Sequence, residues 1–175
     1  MAKKFIFEGA ATALVTPMTQ DGIDFESLGK LIDRQIEDGI DAIVICGTTG
    51  EGSTMSDAEH RQVLEFALKV ANGRVPMIAG TGSNDVAYAI DLTQFACRIG
   101  YDAMLVVTPY YNKTTQKGLV AMFTAIADAS TKPIILYNVP SRTGVNIEPA
   151  TCAILAKHPN IQAIKEASGN ISKIV

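Results

Sequence analysis

The sequence predicts an α/β fold in which short apolar strands alternate with amphipathic helices. Six β-rich apolar runs recur about every 30 residues, the size of a βα unit repeated along a parallel sheet. After each of the first five runs comes a stretch whose apolar residues follow helical spacing. Polar, glycine-rich segments follow nearly every run, at the strand end where α/β folds bind ligands. An open doubly wound sheet and a (β/α) barrel both satisfy this pattern, and the pattern does not choose between them.

The first run is Ala10 to Val15, followed by a turn at Gln20-Asp21-Gly22. Leu28, Leu31, Ile32, Gln35 and Ile36 then keep helical spacing up to Gly39, a C-cap residue because glycine enters the left-handed region without a Cβ clash. The second run, Ala42 to Cys46, leads to a helix opened by Ser56 with Glu59 three places on, the pattern of a capping box. Val63, Leu64, Ala67 and Leu68 form its apolar stripe. Val75 to Ala79 is the third run, and the next helix carries Ala87, Ile90, Leu92, Phe95 and Ala96 before Gly100.

Met104 to Val107 is the fourth run, Leu119 to Ala129 a helix, and Ile134 to Tyr137 the fifth run. Pro149 fits a first helical turn, where its missing N–H costs nothing. Cys152 to Ala156 continues that helix, Ile161 to Lys165 is the sixth run, and Asn170 onward reads as the start of a further helix.

A chain of 175 residues with 47% hydrophobic and 19% charged residues is one ordinary domain with a sizeable core. The formal net charge of −3, with no basic block, argues against nucleic acid as a partner. The start, MAKKFIFEGA, has too short an apolar run for a secretion signal, and no segment approaches the roughly 20 apolar residues of a membrane helix. The expected location is the cytoplasm. Cys46, Cys97 and Cys152 are widely spaced and odd in number, without histidines at metal-ligand spacing, so they read as reduced, mostly buried thiols with no metal site. His60 and His158 read as surface residues.

Four polar segments sit at strand carboxyl ends: Gly47 to Glu51 (GTTGE), Pro109 to Asn112 (PYYN), Tyr137 to Gly144 (YNVPSRTG) and Lys165 to Gly169 (KEASG). An apolar strand ending in Lys165 places an amine at a pocket mouth, where burial can lower its pKa and leave it nucleophilic. Taken alone, a strand-end lysine is more often a surface residue. In strict alternation Lys165 shares a face with Ile161 and Ala163, as Tyr137 does with Ile135. The glycines and small hydroxyls of GTTGE can bring backbone N–H groups to a carboxylate, or form no more than a tight turn. Arg142, in the loop after the fifth strand, is a suitable fork for a carboxylate.

In this order and spacing, GTTGE, PYYN, YNVPSRTG and IKEASGN resemble the dihydrodipicolinate synthase family, within the N-acetylneuraminate lyase superfamily of Schiff-base aldolases. The resemblance runs from about residue 6 to the last residue. It implies a (β/α)8 TIM barrel, of which residues 1–175 would cover about six βα units as a partial barrel domain, strands 7 and 8 and the family's carboxyl-terminal helical region lying outside it. It implies that Lys165 forms an imine with pyruvate, with no other cofactor. It makes Tyr137 a proton shuttle oriented by Thr49, in a relay ending at Tyr111, which in family members reaches into a neighbouring subunit. A homo-oligomer, a dimer of dimers, follows from that. Thr48 and the amides of Thr48 and Thr49 would hold the pyruvate carboxylate, and Arg142 the carboxylate of aspartate semialdehyde.

Arg142 separates this reading from the sialic-acid lyases, which lack an arginine there. A lysine-effector cleft of some members matches Ser53, His60, Asn84 and Tyr110. Where inhibited members carry an acid one turn after Asn84, this chain has Tyr88, which argues against lysine inhibition. The alternatives are an inactive barrel fragment that requires a complementary piece, and another pyruvate-dependent aldolase.

Overall fold

In the computed structural model, which describes residues 5–174, the six runs form one parallel sheet. Strand β1 is Ala11–Ala13. Two short strands, β2 (Met18–Thr19) and β3 (Gly22–Ile23), make an antiparallel hairpin. Then come α1 (Phe25–Glu37), β4 (Ala42–Ile45), α2 (Asp57–Ala71), β5 (Met77–Gly80), α3 (Val86–Ile99), β6 (Ala103–Val107), α4 (Gln116–Ala129) and β7 (Ile134–Asn138). A single-turn helix α5 (Pro140–Thr143), α6 (Pro149–Leu155) and β8 (Ile161–Glu166) complete the order. The sheet runs β1-β4-β5-β6-β7-β8, so β1 and β8 are its two edges.

Local chemistry sets the helix ends. The Ser56–Glu59 capping box is present at α2, and Asp24 accepts from the Ser27 amide at the start of α1. Gly100 closes α3 at φ 108, and Gly39 follows α1 at φ 85. Asn170 onward does not start an α-helix within the described residues: Ile171–Lys173 is a single 3-10 turn.

The sheet has two distinct faces. Ile43, Ile45, Met77, Ala79, Met104, Val106, Ile134 and Leu136 point outward and pack with the helices, against Leu64, Leu92 and Phe123 among others. Ala42, Val44, Ile78, Ala103, Leu105, Ile135 and Tyr137 form a second cluster on the inner face. Such near-continuous apolar strands are what a parallel sheet covered on both sides demands.

Strand β8 breaks strict alternation. Ile134 pairs with Ile161 but Ile135 pairs with Ala163, a bulge that takes in Gln162. Ile161 therefore belongs to the outer core with Ile134 and Leu136, while Ala163 and Lys165 line the inner cavity with Ile135. Lys165 does not share a face with Ile161. The extra residue resets the side-chain period, as a bulge must.

Neither histidine is a surface residue. His60 is 4% exposed, because it lies on the same stripe of α2 as Val63, Leu64, Ala67 and Ala71, and its Nε2 is 3.0 Å from the Gly80 carbonyl. His158 is half-buried, with Nε2 3.0 Å from Asp128 and Nδ1 accepting from the Asn160 amide. Of the three free cysteines, Cys46 is buried and Cys97 and Cys152 are half-buried.

Candidate active site

The carboxyl ends of the strands gather the residues singled out from sequence. Tyr137 ends the inner face of β7 and is 7% exposed. Lys165 is its register partner on β8, and the Lys165 Nζ stands 4.6 Å from the centroid of the Tyr137 ring. The face of an aromatic ring attracts an ammonium, so the contact holds the amine inward. Lys165 opens onto a cavity of about 690 Å³ that the inner faces of the strands enclose, walled by Val44, Ile78, Leu105 and Ile135.

A second cavity of about 270 Å³ adjoins it across Leu105 and is lined by Thr48, Tyr110, Tyr137 and Arg142. The GTTGE loop borders it through an unusual backbone. Cys46 and Glu51 have φ of 56° and 54°, left-handed values that non-glycine residues seldom adopt. The Cys46 carbonyl is crowded by two glycines: a Cβ on Gly52 or Gly80 would come within 2.4 or 2.3 Å of it. Thr16 Oγ1 donates to the Gly50 carbonyl at 2.8 Å and pins the loop from below. Thr48, which lines the cavity, and Thr49 beside it are exposed, and their amides take part in none of the loop's backbone hydrogen bonds. Free N–H groups in such a turn suit a carboxylate.

Arg142 lies in the single turn of α5 rather than in a loop. It is exposed, and the residue beside it provides its anchor: buried Thr143 accepts from Thr108 Oγ1 at 3.0 Å and donates to the Val145 carbonyl at 3.0 Å. Tyr111, at φ 68, is 92% exposed. Among the described residues no hydrogen bond joins Thr49, Tyr137 and Tyr111 to one another, whereas Thr48, Tyr137 and Arg142 line one cavity and Tyr137 meets Lys165.

Ser53, His60 and Tyr110 line a separate cavity of about 240 Å³ together with Tyr88 and Asp57. Asn84 stays outside it, its carbonyl accepting from Asn112 Nδ2 at 3.1 Å. Burial pushes the His60 imidazole below its ordinary range. Burial, with the Asp57 carboxylate beside it, pushes the Tyr88 phenol up to about 12. Among the described residues no group of three His, Cys, Asp or Glu could hold a metal ion, and no helix is long and apolar enough to cross a membrane.

The profile of the dihydrodipicolinate synthetase family matches residues 6–175. The chain belongs to that family. It is 55% identical to the 4-hydroxy-tetrahydrodipicolinate synthase of Acetivibrio thermocellus, over 96% of this chain and 58% of that protein. It is 58% identical to the synthase of the same name from Exiguobacterium sibiricum, over 95% of this chain and 57% of that protein. Among solved structures, the chloride-inhibited dihydrodipicolinate synthase from Acinetobacter baumannii complexed with pyruvate superposes with a TM-score of 0.92 at 52% identity, covering 94% of this chain and 57% of that one. The chain thus spans somewhat over half the length of these dihydrodipicolinate synthases. Its six parallel strands form a partial (β/α) barrel, which decides the question the strand pattern alone leaves open.

Sequence reasoning did not single out Thr16, Thr108, Thr143, Asn138 or Glu166. All five lie beside residues of the site and hold the backbone that carries them. Asn138 and Glu166 had a signal: each is a polar residue directly after a strand residue aimed inward, so alternation turns it to the outer side, where a buried polar group requires a partner.

Proposed function

We propose that the chain carries the catalytic half of a 4-hydroxy-tetrahydrodipicolinate synthase, condensing pyruvate with aspartate semialdehyde through an imine on Lys165, in lysine and diaminopimelate biosynthesis. The observation that carries this reading is the Lys165 amine held over the Tyr137 ring, in one inward-facing register pair at the carboxyl edge of the sheet. The amine adds to the pyruvate ketone and water leaves, giving the imine. The imine acts as an electron sink, so the methyl group loses a proton and the resulting enamine attacks the aldehyde. Cyclisation onto the imine carbon then releases Lys165. No bound cofactor is needed.

In this reading Tyr137 moves the protons and the Thr48 and Thr49 amides hold the pyruvate carboxylate. Arg142, across the smaller cavity, receives the carboxylate of the second substrate. Thr49 orients Tyr137, and the exposed Tyr111 serves the site of a neighbouring copy in a cytoplasmic homo-oligomer, a dimer of dimers. The cavity beside His60 is a poor lysine site, because its carboxylate, Asp57, is engaged by Arg61 and Tyr88.

Because the chain spans 57–58% of the length of these relatives, the test is run on the chain alone and with a polypeptide spanning the remaining strands. The protein is incubated with pyruvate, reduced with borohydride and mapped by mass spectrometry. An adduct on Lys165 is expected, alone or after a polypeptide spanning the remaining strands is added; no adduct in either case overturns the proposal. In the competent form, Tyr137→Phe should lower turnover by about 10²–10⁴-fold.

A further inference from the structure

Asn138 and Glu166 follow directly on Tyr137 and Lys165, and they pair with each other in the β7–β8 register. Alternation turns both away from the cavity, so neither touches substrate. Asn138 is 1% exposed, and its side chain is fully used. Its Nδ2 donates to Glu166 Oε2 and to Asn146 Oδ1, both at 2.9 Å, and its Oδ1 accepts from the Ile147 amide at 2.9 Å. The other Glu166 oxygen accepts from the Ser168 amide at 2.7 Å. The Ala167 amide continues the ladder onto the Asn138 carbonyl at 2.8 Å.

We propose that Asn138 and Glu166 are positioning residues, a clamp that locks the carboxyl ends of β7 and β8 together and sets the approach of the Lys165 amine to Tyr137. Among the described residues β8 pairs with β7, and beyond the bulge the last few pairs of that ladder hold Lys165 in place. A side chain with two donors and one acceptor is required at 138: aspartate has no donor when ionised and would face the Glu166 carboxylate. Burial opposes the charge on Glu166, but the hydrogen bonds from Ser168 and Asn138 outweigh it and hold the carboxyl below the ordinary glutamate range. Through Asn146 the same amide reaches the segment that follows α5 and Arg142, tying the two proposed carboxylate-binding and imine-forming elements into one unit. The consequence for catalysis rests on the function proposed above; the geometric claim does not.

The test uses two readouts on the whole chain. One is the ring-current shift that the Tyr137 ring imposes on the Lys165 ε-methylene, read by carbon–proton correlation NMR and assigned by its loss in Tyr137→Leu. The other is the rate of borohydride-trapped pyruvate adduct on Lys165. Asn138→Ala and Glu166→Leu should abolish the shift and slow trapping by about 10²-fold, the scale of an ångström-sized misplacement. Glu166→Gln, whose amide oxygen can still accept from Asn138, should recover most of the shift lost in Glu166→Leu.

A parent protein without the shift, or variants that lower thermal stability yet keep shift and trapping rate, overturns the clamp. If Asn138→Ala does not fold, the two Glu166 variants decide. A parent that shows the shift but traps no pyruvate, either alone or with the polypeptide spanning the remaining strands, sinks the proposed function, and the shifts of the variants still judge the clamp.

Discussion

Leu136 in β7 and Ile164 in β8 are apolar register partners on the outer face, yet Leu136 is 1% exposed and Ile164 is 38% exposed. Both faces of β7 are covered, one by helices and the other by the inner cluster. Among the described residues β8 pairs with β7 alone and no α-helix follows it. Burial here follows from which elements lie alongside, not from composition. Where β8 lacks a hydrophobic cover, its carboxyl end is held by polar bonds to Asn138 and Ser168 instead. The residues of the proposed chemistry therefore sit at a boundary between a packed half-sheet and an edge held by hydrogen bonds.

Three measurements would break or sharpen this contrast. The largest effect belongs to the covered half: Phe123, fully buried among the outer core residues, should cost about 3–5 kcal/mol when changed to Ala, read as a lower midpoint of urea unfolding. A loss below about 1 kcal/mol would mean that the helix-covered side does not dominate stability.

An intermediate effect comes from His60. Its folded-state pKa lies below the 6.5 of the free imidazole, so an unfolded chain takes up the proton first. Its contribution is full above pH 6.5 and is lost as the pH falls through the folded pKa, by up to about 1.4 kcal/mol per pH unit. Unfolding midpoints measured from pH 7.5 to 5 should decline, and His60→Gln, which keeps a donor for the Gly80 carbonyl, should flatten that decline. An equally steep profile in the variant would assign the pH dependence to other groups. The smallest effect is expected at the edge: Ile164→Thr should change stability by no more than about 0.5 kcal/mol, and a change near that of Phe123→Ala would erase the contrast.

The central architecture was legible in the sequence because its determinants are local. Doubly covered strands read as apolar runs, and Ser56–Glu59, Gly39, Gly100 and Pro149 mark helix ends from the residues alone. The β2–β3 hairpin was not, since strands of two residues have no alternation to detect. His60 could have been recognised, as it shares helical spacing with Val63, Leu64 and Ala67, but residue type outweighed position. At the site, Thr48, Tyr137, Arg142 and Lys165 were recognisable as polar groups at strand ends. The partners of Asn138 were not, because Glu166 lies 28 residues away along the chain and only the sheet brings the two together.

The bulge at Gln162 gives β8 a parity problem and its solution in one residue. Counting from Ile161, which the helices bury, an uninterrupted strand would put every second residue on the helix side and so aim Lys165 out of the barrel. The bulge absorbs one position and turns the count from even to odd. The direction of the proposed nucleophile is thus set by that irregularity as much as by the identity of the lysine, and a β8 that kept Gln162 but paired without the bulge would present Ile164 and Glu166 to the cavity while leaving each of the site's residues in the chain.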